Sequence, residues 1–402
     1  MRLHYDENTE AFRARFVAWL DENKPRPEET RDRPRSSGDL PEWARRWQRR
    51  LFDAGYLVPG WPPELGGCNA TPQEQMVYFE ELTRRRVTRS FNIQGVTIIA
   101  PSIIDYGTDA QKQQYALPML KGELTGCLGM SEPGAGSDLA GLSTRAELRD
   151  NVFVINGQKV WTSGAQHAEA GIFFVRTDPD APKHKGISCV IIDMDTPGIT
   201  VRSIAEMNNR ERADFNEVFL DDVIVPRENL LGALGQGWAI ANGSLSHERG
   251  MMWIQQASAL DRALQRALTL AGDDATRARM GDNAVFRDQL ASSAIDAYSL
   301  RLMGYRGFAK MTRGRVALEH STLKLFGSEA VQRLSRRVTE ALGARAIDKT
   351  LFTEDEPYLD FATSRGAWMS GYFGTFGSTI SAGTSEIQRN IIAERILGLP
   401  RG

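Results

Sequence analysis

The spacing at which apolar residues recur changes twice along this 402-residue chain, and that change limits the folds it can adopt. Over residues 7–122, apolar side chains such as Trp43 and Trp47 recur every three or four positions, which predicts amphipathic helices. Over residues 125–231, short apolar runs are separated by Gly, Pro and Asp, which predicts strands. The helical spacing returns over residues 237–397. The expected order is therefore helix, sheet, helix.

Five short apolar runs make up the predicted strand region, and their number favours a small antiparallel barrel or sandwich. Asn156-Gly157 follows the first run, and because this pair tolerates positive φ, we expect a two-residue hairpin turn there. The runs are Val152–Ile155, Gly171–Val175, Ile187–Ile192, Ile199–Val201 and Phe215–Phe219.

The last third of the chain contains four helical segments, which are long enough to form an antiparallel bundle. They lie near residues 237–270, 283–313, 316–343 and 385–397.

Composition excludes several classes of function. The 49 Lys and Arg residues nearly balance 51 Asp and Glu, giving a net charge of −2, so nucleic acid and anionic membranes are not expected partners. No uninterrupted apolar run reaches the roughly 18 residues of a membrane helix, so membrane insertion is not expected either. Three isolated cysteines and five scattered His indicate neither a disulfide framework nor a metal site. We expect a soluble protein of the reducing cytoplasm.

The densest signal for a functional site is the segment Gly129–Asp138, which lies where the helical region gives way to the strands. A turn this rich in Gly and Ser exposes backbone N–H groups that a flat or anionic ligand can approach. On composition alone an ordinary loop is favoured over a cofactor site by about two to one, because Gly-rich turns are common.

Four motifs in order along the chain resemble those of the acyl-CoA dehydrogenase family. The resemblance extends over residues 40–400, and four ordered motifs are far more specific than any one of them. The motifs are Ser131–Asp138, Asn156–Ser163, Phe215–Val223 and Gly383–Asn390.

The resemblance implies an α+β multidomain fold with FAD as cofactor. It implies an all-α N-terminal domain over residues 1–124, a middle antiparallel β-barrel domain over 125–234, and a C-terminal four-helix bundle over 235–402. FAD would lie between the second and third domains.

The resemblance also assigns roles in the middle domain. Met130, Ser131, Trp161 and Ser163 match the family's residues around the flavin ring, and an amphipathic Trp suits a half-buried ring face. Considered alone, Trp161 could instead be a buried strand residue. Ser137 matches a position near the CoA moiety, although its hydroxyl could simply cap its own turn.

At the C-terminus, Thr384 or Ser385 is expected to cap a helix whose first N–H groups could bind phosphate. In the family this segment contacts the ADP part of FAD, which assigns Thr384 and Glu386 to cofactor binding. The alternative is a cap that serves only its own helix.

The family's best-known catalytic base is missing from this chain. The carboxylate that removes the substrate α-proton immediately precedes the Gly-Thr pair of the last motif, and here that position is Ala382. Some family members carry the base in a Glu-Arg pair on the first bundle helix, which matches Glu248 and Arg249. The resemblance therefore makes Glu248 the expected base and Arg249 a substrate-binding residue.

Helical spacing independently supports Glu248. Residues spaced three or four apart share one helix face, and on that face Glu248 would be partly desolvated. The alternative is a structural ion pair between Glu248 and an arginine of the bundle. The stripe comprises Trp238, Ala241, Leu245, Glu248, Met252, Gln255 and Ala259.

Two segments depart from the family pattern. An Arg-x-x-Phe-Gly stretch usually contacts the FAD of the neighbouring subunit, whereas Arg277–Gly281 has no Phe. A Gln usually precedes a Gly-Gly pair, whereas Glu340–Ala344 places an acid near the expected diphosphate. Both changes suggest an altered cofactor contact between subunits.

The resemblance implies oxidation of an acyl-CoA to the trans-2-enoyl-CoA, with electrons passed to an electron-transferring flavoprotein, in a homotetramer or heterotetramer. A base on the bundle helix favours branched, long or ring-bearing acyl groups. Two alternatives stay open. One is a catalytically silent FAD-binding subunit of a heteromeric dehydrogenase, and the other is an oxidase or monooxygenase chemistry on the same fold.

Overall fold

The computed structural model describes residues 5–207, 213–249, 252–313, 319–348 and 367–400, and the side chains of residues 244–249, 252, 319 and 320 fall outside that description. Internal contacts divide the chain into two compact units. The first unit comprises Met1–Val77 with Thr88–Glu248, and the second comprises Tyr78–Val87 with Arg249–Gly402. The α+β fold class expected from the sequence is confirmed.

Six helices precede the sheet, as the spacing of apolar residues predicted. In the first of them, Asp6 caps the helix by accepting a hydrogen bond from the N–H of Thr9, and Phe12 and Phe16 on one face are buried. In the second, Trp43 and Trp47 are buried in the same way. The helices are α1 (Glu7–Asn23), α2 (Glu42–Asp53), α3 (Pro72–Arg84), α4 (Ala100–Tyr106), α5 (Asp109–Gln111) and α6 (Leu117–Lys121).

An eight-stranded sheet forms the middle of the first unit. Its strands pair in the order β6-β7-β3-β2-β4-β5-β8, and β1 pairs with β4. Most pairs are antiparallel, but β4 also pairs in parallel with β1 and with β2. Phe153, Phe173 and Val190 on one face of the sheet form its buried core. The strands are β1 (Gly126–Gly129), β2 (Arg145–Arg149), β3 (Val152–Lys159), β4 (Ala170–Arg176), β5 (Ile187–Asp193), β6 (Ile199–Ser203), β7 (Asn216–Pro226) and β8 (Leu230–Leu231).

The hairpin turn predicted at Asn156-Gly157 is wrong. Both residues lie inside β3, where the pairing with β7 shifts register between Ile155 and Gly157, a β-bulge. Gly157 has φ +153°, and a Cβ on it would approach Thr144 within 2.5 Å, so the glycine serves the bulge. The turn instead precedes β3, where Asp150 adopts φ +53°.

The second unit is built from long helices that pack against one another. Helix α10 packs against α8, α9 and α11, so the predicted bundle is present. Helix α11 was not predicted, because its glycines lower helix propensity and interrupt the apolar pattern. No helix within the described ranges is both long and apolar enough to cross a membrane. The helices beyond the sheet are α7 (Gly237–Arg249), α8 (Met252–Gly272), α9 (Ala284–Met311), α10 (Glu319–Leu342), α11 (Trp368–Ile380) and α12 (Ser385–Ile391).

The apolar stripe expected to run through Glu248 does not continue as one buried face. Ala241 is buried in α7, but Gln255 in α8 is exposed. The buried face of α8 carries Trp253, Ala257 and Leu260 instead. The stripe members Leu245, Glu248 and Met252 lie outside the described side chains.

Gly304 in α9 allows close packing against α8. A Cβ at this position would lie 2.1 Å from the buried indole of Trp253.

We expect Gly304→Ala to destabilise the protein by about 1–3 kcal/mol through overpacking. Gly377 in α11 is the matched control, since a Cβ there meets no atom within 4 Å. Gly377→Ala should stabilise by about 0.5–1 kcal/mol. Thermal unfolding followed by circular dichroism measures the stability of both variants. An equal change in Tm in Gly304→Ala and Gly377→Ala would refute the packing argument.

Candidate functional site

Met130 and Ser131 leave the end of β1 as an irregular, half-buried segment. The carbonyl oxygen of Ser131 accepts a hydrogen bond from the N–H of Val160 at 2.9 Å, which ties this segment to the end of β3. Neither the N–H nor the hydroxyl of Ser131 donates to an acceptor within the described ranges. Ser131 therefore offers two donors beside a strand end.

Trp161 is exposed and held in an unusual backbone conformation. It follows β3 with φ +61°, and 57% of its surface is accessible. Phe215 packs edge-to-face against the indole, with 5.7 Å between ring centroids. A large aromatic side chain in this conformation is strained, and such strain is retained where the surroundings impose it. The alternative of a buried strand residue is wrong for Trp161.

Asn216, a fully buried residue of β7, fixes the backbone on which Trp161 and Ser163 lie. Its side-chain amide donates to the carbonyl oxygen of Thr162 at 3.0 Å and to Oε1 of Gln166 at 2.6 Å. Its own carbonyl accepts from the N–H of Thr162 at 3.1 Å. Thr162 is thus held from both sides, and its neighbours Trp161 and Ser163 are positioned with it.

A buried ion pair joins the end of β3 to the segment that follows β1. Nζ of Lys159 lies 2.8 Å from Oε1 of Glu132, and the two side chains are 0% and 4% exposed. The carboxylate also accepts from the N–H and hydroxyl of Ser143 and from the N–H of Thr144, at 2.7–2.9 Å. With four donors, the carboxylate is fully hydrogen-bonded, which offsets part of its desolvation.

Both members of this pair are charged at neutral pH. Burial by itself would raise the pKa of Glu132, but the Lys159 ammonium and the hydrogen bonds from Thr144 and Ser143 outweigh it and lower that pKa to about 2. Burial lowers the pKa of Lys159 to about 8, against the attraction of the Glu132 carboxylate.

Ser137 is exposed on a loop of the first unit, next to a basic segment. Its neighbour Asp138 lies 3.5 Å from Nζ of Lys183, which belongs to the loop between β4 and β5. His184 of the same loop packs edge-on against Trp238, with 4.4 Å between ring centroids. Ser137, Lys183 and His184 thus belong to one accessible surface region.

Thr384 and Glu386 lie in the second unit. Thr384 caps α12, because its hydroxyl oxygen accepts from the N–H of Ile387 at 3.2 Å. The capping residue is therefore Thr384 and not Ser385, whose buried hydroxyl has no hydrogen-bond partner among the described residues. Glu386 is exposed, and hydrogen bonds from its own N–H and from Thr384 lower its pKa.

The loop at the usual base position is anchored by α10. Nζ of Lys324 donates to the carbonyl oxygen of Gly383 at 2.6 Å, and burial lowers the pKa of Lys324. Ala382 is half-buried with φ +54°, and its methyl group has no acid–base function. The side chains of Glu248 and Arg249 lie outside the described part of the chain, so their assignments stay predictions.

The two segments that depart from the family pattern meet in the second unit. Nη1 of Arg279 lies 3.4 Å from the carbonyl oxygen of Leu342. Met280, which stands at the Phe position of the family's Arg-x-x-Phe-Gly stretch, is fully buried. Glu340 is exposed and lies 3.7 Å from Arg336, so its charge is partly balanced by a neighbour on its own helix.

A cavity of about 340 Å³ lies between α8, α10 and α11. Small side chains such as Ala259 and Ala263 and the aromatic rings of Trp368 and Tyr372 contribute to its lining, together with Arg262 and Arg266. Its volume falls at the lower end of the range for small-molecule pockets.

Sequence reasoning did not assign Glu132, Lys159, Asn216 or Lys324, although three of them occur within the quoted motifs. Lys159 stands at an inward position of β3, and a charged residue there requires a buried partner. The bulge at Gly157 obscured this signal, because it changes which residues face the core. Lys324 lies outside all four motifs.

We expect Glu132→Gln to destabilise the protein by about 3–5 kcal/mol at pH 7, because it leaves Lys159 buried without a counter-charge. The folded-state pKa of Glu132 is depressed from 4.5 to about 2, so its stabilisation is complete above pH 4.5 and is lost as the pH falls towards 2. The difference in free energy of unfolding between wild type and Glu132→Gln should therefore become smaller as the pH falls from 4.5 towards 2. Urea unfolding at a series of pH values measures it.

Glu147→Gln is the control for this experiment, since the side chain of Glu147 in β2 is 44% exposed and pairs with two surface arginines. It should change stability by less than about 0.5 kcal/mol. Equal destabilisation by both variants at pH 7 would contradict the importance of the buried pair.

Comparison with known proteins matches three successive domains. Residues 6–123, 127–223 and 235–397 match the N-terminal, middle and C-terminal domains of acyl-CoA dehydrogenase. The chain is 34% identical to the acyl-CoA dehydrogenase IpdE1 of Mycobacterium tuberculosis, covering 98% of this chain and 99% of the relative.

Two further comparisons support the same family. The chain is 36% identical to the acyl-CoA dehydrogenase FadE34 of the same organism over 90% of this chain, but it spans only about half (47%) of that longer relative. The solved structure of Tcur3481-Tcur3483 steroid ACAD is 27% identical, with a TM-score of 0.79 and full coverage of both chains. On these matches, this chain belongs to the acyl-CoA dehydrogenase family of oxidoreductases.

Proposed function

We propose that this chain oxidises an acyl-CoA thioester to the trans-2-enoyl-CoA, with FAD as the hydride acceptor. The observation that carries the proposal is the arrangement around Ser131 and Trp161. Ser131 presents donors that find no acceptor among the described residues, and an exposed indole is held rigidly beside it in the same unit. Such a surface suits a flat ligand with a polar edge.

The residues present fit FAD. Met130, Ser131 and Ser163 would hold the polar edge of the flavin ring, and Trp161 would lie beside its face. Thr384 and Glu386, in the second unit, would bind the ADP part. When bound, FAD supplies the oxidised ring that takes up the hydride from the substrate β-carbon. Asn216 and the Lys159–Glu132 pair keep the donors and the indole in place, which lowers the entropy lost on binding.

Glu248 is the proposed base. Ala382 cannot accept a proton, and a Glu-Arg pair at 248 and 249 stands where some family members carry the base. Glu248 would remove the α-proton, while a backbone N–H donor stabilises the negative charge that grows on the thioester oxygen. Arg249 would bind the substrate next to it.

Ser137 and its basic neighbours are the proposed binding region for the CoA moiety. The hydroxyl is exposed, and Lys183 and Lys185 lie on the neighbouring loop. CoA carries several phosphates, and surface ammonium groups attract them at long range. Lys183 can exchange its long 3.5 Å contact with Asp138 for a phosphate oxygen.

The acyl group is proposed to be branched, long or ring-bearing. The cavity between α8, α10 and α11 offers about 340 Å³ bordered mainly by small and aromatic side chains. The structurally similar protein described as a steroid ACAD supports the ring-bearing class.

Further partners follow from family membership. Electrons are proposed to pass to an electron-transferring flavoprotein. A homotetramer or heterotetramer is proposed, and the exposed apolar residues Ile295, Tyr298 and Leu302 along α9 suit a subunit interface.

The location proposed for the protein is the reducing cytoplasm, which the free thiols of Cys68, Cys127 and Cys189 fit. Domain boundaries are proposed after residues 124 and 234.

We expect Glu248→Gln to slow flavin bleaching by an acyl-CoA by about 10²–10⁴-fold, because the reaction loses its proton acceptor. Bound FAD should be retained at wild-type stoichiometry. Stopped-flow absorbance with a panel of straight, branched and ring-bearing acyl-CoAs measures the rate. Glu147→Gln is the control and should bleach at the wild-type rate. An unchanged rate in Glu248→Gln would reject this base.

The same assay tests the two alternatives. Wild-type protein that holds FAD but is not bleached by any thioester would favour the silent subunit, which Ala382 and the missing Phe of Arg277–Gly281 suggest. Rapid reaction of the reduced flavin with oxygen would favour an oxidase or monooxygenase.

We expect Lys183→Glu to raise KM for acyl-CoA about tenfold, with little change in kcat, since the charge reversal repels phosphate far from the reacting carbons. The matching N-acetylcysteamine thioester lacks those phosphates, so its KM should not change. Lys112→Glu is the control, since this half-buried lysine directly after α5 pairs with Asp109 and not with the loop that carries Lys183. Equal effects on both thioesters would place the CoA moiety elsewhere.

A further inference from the structure

Lys159 is buried in a place where its charge reaches the backbone of the cofactor-facing segment. Besides its bond to Glu132, Nζ of Lys159 lies 3.4 Å from the carbonyl oxygen of Met130. This is long for a hydrogen bond, so the contact is mainly electrostatic. The side chain is fully buried, and charges interact more strongly there than at the surface.

The carbonyl of Met130 and the N–H of Ser131 belong to one peptide group. A cation beside the oxygen draws electron density towards it and makes the N–H at the other end a stronger donor. That N–H donates to no acceptor in the described part of the chain. The effect of Lys159 is therefore transmitted to a donor that remains available for a ligand.

The geometry also restricts the movement of this peptide. Val160 follows Lys159 directly, and its N–H holds the carbonyl of Ser131 at 2.9 Å. Glu132 follows Ser131, and its carboxylate is anchored by Ser143 and Thr144. The contacts of Val160 and Glu132 thus keep the Ser131 N–H in one orientation, which a preorganised electrostatic site requires.

We propose that Lys159 is a positioning residue that polarises the Met130–Ser131 peptide, so that the Ser131 N–H favours the reduced, more negative form of the bound flavin. This inference rests on the proposed function, because it requires FAD beside Ser131. Glu132 has two effects: it stabilises the buried ammonium and moderates its charge.

Two variants separate polarisation from plain structural support. Glu132→Gln combined with Lys159→Met removes both charges, and such paired replacement is often neutral for stability. We expect this double variant to bind reduced FAD about tenfold less favourably relative to oxidised FAD, which lowers the two-electron potential by about 30 mV. Glu132→Gln alone removes the attraction that helps to keep the buried Lys159 protonated, so it is compared with wild type at acidic pH, where Lys159 still carries its charge. At that pH its potential should rise above the wild-type value.

The measurement is the potential of each purified holoprotein, equilibrated with reference dyes, alongside thermal unfolding of the FAD-free forms. Lys112→Met is the control and should match wild type. Shifts of opposite sign in the single and double variants support polarisation, because loss of structural support would shift both in the same direction. If the double variant does not fold, a potential in Glu132→Gln at or below the wild-type value overturns the inference.

The outcomes distinguish this inference from the proposed function. Wild-type protein that binds no FAD would refute both. Wild-type FAD that is bleached by an acyl-CoA, together with equal potentials in all variants, would leave the proposed function standing and reject the role of Lys159.

Discussion

The buried ion pair between Lys159 and Glu132 is the constraint on which the candidate site depends. Two charges removed from water are tolerated only when each is paired and hydrogen-bonded, and here the carboxylate has four donors. Those bonds hold the segment after β1 against the end of β3. Consequently Ser131 and Trp161 occupy fixed positions, although one lies in an irregular segment and the other has a strained backbone.

The second unit follows a different principle. Helix α11 carries several glycines, and only Trp368 and Thr375 within it are buried. The adjoining loop is held mainly by polar contacts, through Lys324 to Gly383 and through Glu329 to Arg389 at 2.6 Å. The residue before Gly383 is Ala382, so the loop presents no proton-accepting side chain at that position.

The sequence patterns predicted the strands themselves better than the position of a turn or the buried face of a helix. The runs in β4 and β5 are apolar except for Ser188 and were predicted nearly to the residue, because a strand buried on both faces consists mainly of apolar residues. The hairpin prediction failed at Gly157, since glycine serves bulges as well as turns. The stripe through Glu248 was wrong at Gln255, which is exposed, whereas Trp253 and Leu260 on another face of α8 are buried.

The sequence by itself determined the helix, sheet, helix order and, through its ordered motifs, the family. These follow from apolar spacing and motif order, which are properties of short segments. Only the tertiary structure decided that Lys159 is buried against Glu132, 27 residues away, and that Asn216 holds Thr162 from a strand 54 residues further on. Pairing between distant segments depends on sheet register, and a single bulge changes that register without leaving a clear trace in the sequence.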